Sequence, residues 1–296
     1  MIRIIPLIIP EIFFIENNKP HNYLSTNPSL YLDDKNNATL LIRNVNYRKY
    51  RNKQFEVFGG ISNSKYILGK GNIDDIDNIN YSIIEYDYNN FKTYNSWWLG
   101  MEDIRFINNN TLLITIPELS KNGMPQLFLG KLENNKIIIK KALLSPLNEN
   151  SEKNWLPFPE KFPNKVVYSI SPLRILDIDT GLFCYSNNQD NIKKIKGFHG
   201  SSNGIEFVYN SKKYILFLIH FYSNKTIHKW LLISENYEKD NDIILSNDFY
   251  LFKHSYIEFI CSLCNYNNNY LISVGVNDNS SYLIEIDKSF ILDKIK

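Results

Sequence analysis

The chain has 296 residues, 44% of them hydrophobic and 22% charged, the composition of a globular protein with material for one large domain or two small ones. Lys+Arg 33 against Asp+Glu 31 gives a formal +2, so no strong overall field points to nucleic acid or to an anionic membrane. Three cysteines build no disulfide framework, and no apolar run reaches the ~18 residues of a membrane-spanning helix.

The first residues, "MIRIIPLIIPEIFFIENN", have the apolar character of a leader peptide, but Pro6, Pro10 and Glu11 interrupt the run and no small-residue cleavage site follows. The expectation is a cytoplasmic protein. Beyond this point helical periodicity is almost absent. Short β-rich segments alternate with Asn, Asp, Gly and Ser clusters, the pattern of an all-β chain.

The segments come in pairs. "NPSLYL" from Asn27 is followed by "TLLIRNVNY" from Thr39, and "MEDIRFI" from Met101 by "TLLITIP" from Thr111. "KNWLPF" from Lys153 precedes "VVYSISPL" from Val166, and "GSSNGIEFVY" from Gly200 precedes "KYILFLIHFY" from Lys213. The last pair is "IEFICSL" from Ile257 and "NYLISVGVND" from Asn269. Turn residues separate the members of each pair, as a hairpin requires. A sheet unit recurring every roughly fifty residues is the signature of a propeller. The reading is a single five-bladed β-propeller domain over 1–296, with blades near 20–70, 95–145, 150–195, 196–245 and 246–292. The longest interval, between the first two units, implies an insertion around 70–95.

In a propeller the first strand of each blade lines the central channel, so its starting residues converge on one mouth. Asn27, the Glu102–Asp103–Arg105 group, Lys153–Asn154–Trp155, His199–Ser201–Ser202 and Glu258 are therefore predicted to meet. Polar groups at equivalent positions of apolar strands are costly unless a wet cavity uses them, although each taken singly also fits a turn residue bonding its own backbone.

"GMEDIRF" resembles the Gly-x-Glu-Asp-Pro-Arg motif of glycoside hydrolase family 130, the five-bladed β-mannoside phosphorylases and hydrolases. "NPSL" at 27–30 with "LIRNVNY" at 41–47 is similar to that family's early Asn-Pro motif and following Arg-bearing strand. Two features depart from the family: Ile104 stands where it usually has Pro, and "EKNW" and "HGSS" resemble a sub-group of sugar-processing proteins. The resemblance implies inversion at a sugar's anomeric carbon with Asp103 as proton donor, the proton passing through a sugar hydroxyl. A phosphorylase needs only that acid, whereas a hydrolase needs a second carboxylate to activate water. Related propellers also act as β-1,2-mannosyltransferases.

A proton donor at neutral pH needs a raised pKa; burial beside Glu102 would raise that of Asp103 and Arg105 would lower it. The plain alternative is an ion pair that pins the blade. Glu258 is the candidate second carboxylate, and Asp278 reads as a loop acid that caps a turn or meets a sugar hydroxyl. Arg43, Arg105 and Arg174 suit bidentate phosphate binding, with Lys153 and His199 beside them. His220 lies in an apolar strand and fits a core histidine as well as a site residue, while His228 and His254 read as surface or turn residues. Of Trp97, Trp98 and Trp155, the last is placed best to stack on a sugar. Cys261 and Cys264 read as reduced structural thiols. No metal, P-loop or dinucleotide motif occurs, so no cofactor is expected. The expected partners are a glycan acceptor and a sugar donor, with inorganic phosphate, a sugar phosphate or a nucleotide sugar as co-substrate. Transferase, phosphorylase, hydrolase and non-catalytic glycan-binding propeller all remain open at this stage.

Overall fold

Several strands read as nearly unbroken apolar runs because they are buried on both faces. In Lys212–Tyr222, for example, Tyr214 through His220 are all buried. Such a strand must be packed between two other sheets. The computed structural model describes residues 2–11, 13–16, 19–51, 54–187, 195–238 and 242–295, and it shows a five-bladed β-propeller.

The first blade runs outward from Leu24–Leu32 through Asn37–Val45 to Ser62–Asn72, with Asn80–Ile83 on its outer side. The second is Glu102–Phe106, Thr111–Thr115, Leu127–Glu133 and Lys136–Ala142. The third is Leu156–Pro157, Lys165–Ile170, Leu173–Asp177 and Leu182–Asn187. In the fourth, His199–Gly200 and Ile205–Tyr209 both pair with Lys212–Tyr222, which is followed by Thr226–Ser234 and Ile243–Leu245. The fifth is Glu258–Tyr266, Asn269–Val276 and Ser280–Ile286.

The ring closes with a strand from the other end of the chain. Ile2–Pro6 pairs antiparallel with Ser280–Ile286 as the outermost strand of the fifth blade. The sequence reading placed no blade strand in this stretch, because five residues inside a longer apolar run carry too little alternation to identify a strand.

The core is divided among the blade interfaces. Five clusters of buried residues each draw on two neighbouring blades: first with second, second with third, third with fourth, fourth with fifth, and fifth with first. The segment between the first two blades holds a 3-10 helix at Ile73–Asn78 and a strand, Glu85–Asp87, that runs parallel to Lys136–Ala142 of the second blade. It ends in Trp98–Leu99, parallel to Ser62–Asn63 at the channel mouth. A short hairpin, Tyr47–Lys49 with Phe55–Val57, rises from the same end of the first blade. Among the described residues no helix is long and apolar enough to cross a membrane.

Candidate active site

Asn27 and Asp103 occupy the same position in adjacent blades, and the backbone treats them alike. Each sits at a break in the register between the first and second strands, and each has a positive φ, 43° and 44°. Asn154, just ahead of the third blade's first strand, has φ 63°. Asn and Asp tolerate this left-handed region better than other residues with a side chain. A bulge of this kind adds one residue and re-aims its side chain, here into the channel mouth. Gly275 makes room for it: a Cβ there would lie 2.0 Å from Asn27 Oδ1.

The carboxylates meet the cations at this point. Arg43 Nη1 lies 3.3 Å from Asp103 Oδ1, and Arg43 Nη2 lies 2.5 Å from Glu102 Oε1. Arg43 Nε donates to Ser64 Oγ at 2.9 Å, which fixes the guanidinium plane. Asn27 Nδ2 donates to Asp103 Oδ1 at 3.0 Å. Arg105 runs beneath, its Nε donating to the Ser201 carbonyl at 2.5 Å and its Nη1 to the Asp103 carbonyl at 3.2 Å. Burial pushes the Asp103 carboxyl up, but Arg43, Arg105, Asn27 and Lys153 together outweigh it and hold its pKa below the ordinary value. The carboxyl is therefore ionised in the free protein. The pKa is lowered rather than raised because the fold brings Arg43 of the first blade against this carboxyl, adding to Arg105.

An open cavity of about 1000 Å³ lies over this group. Asn27, Arg43, Glu102, Asp103, Lys153, Asn154, His220 and Asp278 line it, so the mouth gathers residues from all five blades. His220 Nδ1 is 2.8 Å from Ser201 Oγ, and burial, then His228, His199 and Arg105, push its pKa down to about 3, leaving a neutral imidazole. His199 pairs with His220 in the register and is exposed. Lys153 is exposed and makes no ion pair among the described residues. Asp278 is buried, with Lys49 Nζ 2.8 Å from its Oδ2.

Other candidates have different roles. Glu258 is not a second free carboxylate: its Oε2 accepts from Leu251 N at 2.8 Å and lies 3.2 Å from His228 Nε2, while its Oε1 accepts from Phe252 N at 2.9 Å and from Ser255 Oγ. These contacts tie the loop before the fifth blade to His228 of the fourth blade's Thr226–Ser234 strand. His228, expected at the surface, is the fully buried partner in that staple. Trp155 is no stacking platform either, being fully buried with its Nε1 donating to Glu152 at 3.0 Å. Arg174 lies on the third blade's Leu173–Asp177 strand over the Phe183 ring, outside the cavity. Arg105 and Ser201 are buried below the cavity and support it. Cys261 is buried, and burial raises its thiol pKa well above the usual value.

The tryptophans that do line the cavity are Trp97 and Trp98, joined by Tyr47, Phe55, Ile61 and Phe259. Their signal in the sequence was the Trp pair in "NSWWLG" and the aromatic residues that follow Arg43, both outside the blade-start pattern. Ile104, the departure from Pro, leaves a backbone N–H that Tyr66 Oη accepts at 3.4 Å. Among the described residues no group of three or more His, Cys, Asp and Glu side chains is placed to hold a metal ion.

No protein-family model matches the chain, and no curated protein matches it. Solved structures match it along nearly its whole length. The β-1,2-mannobiose phosphorylase of Listeria innocua, in complex with β-1,2-mannobiose, is 16% identical with a TM-score of 0.60, covering 99% of this chain and 96% of its own. A glycoside hydrolase family 130 structure, from a study of hydrolases that target β-1,2-mannosidic linkages in Candida mannan, is 12% identical with a TM-score of 0.60, covering 96% and 92%. A glycosyl hydrolase from Bacteroides ovatus is 12% identical with a TM-score of 0.57, covering 97% and 91%. These identities establish the five-bladed fold shared with the mannoside phosphorylases and hydrolases.

Proposed function

We propose that this chain is a carbohydrate-active enzyme that performs inverting, single-displacement glycosyl transfer at a mannoside-like linkage, in the direction of synthesis from a phosphate-activated donor. The observation that carries this reading is the ionised Asp103 carboxylate at the cavity floor, held by Arg43 at 3.3 Å and Asn27 at 3.0 Å. An ionised carboxylate is ready to receive a proton. The acceptor hydroxyl attacks the anomeric carbon from the face opposite the leaving group. The bond from that carbon to the phosphate oxygen breaks with its electron pair, and the hydroxyl proton passes to Asp103, directly or through a neighbouring sugar hydroxyl. Lys153, an exposed cation in the cavity lining, supplies positive charge for the departing phosphate. Run backwards, the same steps are phosphorolysis.

Hydrolysis is disfavoured because it needs a second carboxylate free to activate water. Glu258 is fully engaged, and Asp278 is ion-paired with Lys49. A cytoplasmic place, where sugar phosphates and nucleotide sugars are available, belongs to the same proposal.

The test is a panel of sugar 1-phosphates and nucleotide sugars, mannose 1-phosphate and GDP-mannose first, with glycan acceptors. Asp103→Asn should cost roughly 10²–10⁴ in turnover while folding and sugar binding persist. Turnover of no donor, or an Asp103→Asn protein as active as the parent, would sink the reading and leave a glycan-binding propeller.

A further inference from the structure

The formal charge of +2 conceals a division between the two faces of the ring. Each blade's first strand begins at the cavity mouth and runs to the opposite opening, so every loop can be assigned to one face. Among the described residues the exposed bases on the mouth side are Arg48, Arg51, Lys92, Lys153, Lys196 and Lys253, with Lys121 nearby. They outnumber the exposed acids of the same loops, Glu11, Glu56, Glu149 and Asp248, and Asp248 is already paired with Lys229 at 2.6 Å. The opposite opening is a separate cavity of about 640 Å³ whose rim carries Asp33, Asp34, Glu160 and Glu206, with Lys161 as the one lining base among the described residues.

Much of the exposed apolar surface lies on the mouth side as well. Trp97 is 84% exposed, Ile8 77%, Ile15 68% and Ile61 56%, and Phe13 and Phe55 are about half exposed. All six lie on the mouth side, in one sector around the first blade. The hairpin Phe13–Glu16 with Lys19–Asn22 leads directly into Leu24–Leu32 and packs Phe14 on Tyr23, with Lys65 of the first blade over the Phe14 ring. Ile61 is held beside this sector by Asn46, which donates to its carbonyl at 2.9 Å. Trp97 precedes Trp98–Leu99, which is laid along Ser62–Asn63.

Apolar side chains in water carry a cost that scales with area, and a sector of them rimmed by bases is complementary to one surface chemistry: acyl chains beneath anionic headgroups. We infer that the mouth face docks on an anionic lipid surface through the first-blade sector, so that the cavity opens toward a membrane-borne acceptor. Isoleucine and phenylalanine insert at the headgroup boundary, and arginine and lysine engage the headgroups. The acidic rim of the opposite opening is repelled, which orients the ring. The docking goes beyond the proposed chemistry and stands without it.

The experiment is vesicle sedimentation of the full chain with phosphatidylcholine alone and with phosphatidylcholine–phosphatidylserine, at low and high salt. Binding to the anionic vesicles that weakens with salt is expected. Arg48→Gln with Arg51→Gln should lower the partition coefficient roughly thirty-fold, from about a kilocalorie for each base near the surface. Ile8→Ser with Ile15→Ser should weaken it as well, whereas Leu182→Ser on the outer edge of the third blade should not. Circular dichroism confirms that each variant is folded. Absence of sedimentation, equal binding to both vesicle types, or binding that the arginine and isoleucine variants leave intact would overturn the inference. So would a concentration-dependent mass increase in vesicle-free solution abolished by the same variants, which would assign the face to a second copy of the chain.

Discussion

Arg43 and Asp103 come from adjacent blades, and one guanidinium bridges Asp103 at 3.3 Å and Glu102 at 2.5 Å. This cation is the largest influence opposing burial, which pushes the Asp103 carboxyl up, and with Arg105, Asn27 and Lys153 it holds the pKa below the ordinary value. Removing it has a signed consequence. The folded-state pKa of Asp103 is depressed, so its contribution to stability is fully present above the unfolded aspartate pKa of about 3.9 and is lost as pH falls through the folded value. Arg43→Gln should raise the pKa of Asp103 and move the acid limb of the pH–rate profile to higher pH. It should also cost about 1–3 kcal/mol, since two half-buried carboxylates lose a charged hydrogen-bond partner. A pH–rate profile and a urea melt check both; an acid limb that stays in place would show that another group sets the charge.

Gly275 and Asn27 illustrate a dependence between the fifth blade and the first. A methyl group at 275 would meet Asn27 Oδ1 at 2.0 Å and Asn27 N at 2.4 Å, both within the bulge that aims Asn27 at Asp103. Gly275→Ala should destabilise the chain by about 1–3 kcal/mol through overpacking. It should also lower kcat by at least tenfold by displacing the Asn27 amide. Parent-like melting temperature and kcat together would show that the bulge can move aside without consequence.

The repeat was legible because hairpins of strongly apolar strands recur, and so was the gathering of Asn27, Glu102, Asp103, Lys153 and Asn154, which follows from ring closure; Arg43, His220 and Asp278 join them from other positions of their blades. Which atoms face the cavity was not legible. Glu258 and Trp155 occupy blade-start positions like Asp103, yet Glu258 points into a loop and Trp155 into the interface of the second and third blades. Asn27 and Asp103 sit in their register breaks, whereas the fifth blade's break falls between Ile260 and Ser262, past Glu258, and a bulge leaves no mark on apolar periodicity. The segregation of charge between the faces was equally hidden, because a net total carries no spatial information.

Trp97 offers a cleaner separation of binding from stability. It is 84% exposed and lines the cavity, on a segment tied down by Glu118, whose Oε1 accepts from Gly100 N at 2.8 Å and from Tyr88 Oη. Trp97→Ala should leave the melting temperature unchanged, as expected for an exposed side chain. With the flat face for a sugar ring gone, KM should rise roughly tenfold at constant kcat. An unchanged KM would remove Trp97 from the substrate path.

Glu258 provides the sharpest discrimination between a structural and a catalytic carboxylate. Burial raises its pKa, but the His228 contact, Ser255 and the Leu251 amide more than offset this, so the folded pKa is depressed. Its stabilisation is therefore complete above the unfolded glutamate pKa of about 4.3 and fades as pH falls through the folded value. Glu258→Gln places an amide N–H against donors already aimed at a carboxylate, and it should cost about 3 kcal/mol. The loss should be largest near neutrality and shrink toward acid, where the parent's own Glu258 becomes protonated. Turnover per folded molecule should stay within a few-fold of the parent, because the carboxylate does not line the cavity. Thermal melts between pH 3 and 8 alongside kcat on a soluble acceptor decide the matter. A fall in kcat of several orders of magnitude at unchanged melting temperature would return Glu258 to the chemistry and reopen hydrolysis with a second carboxylate.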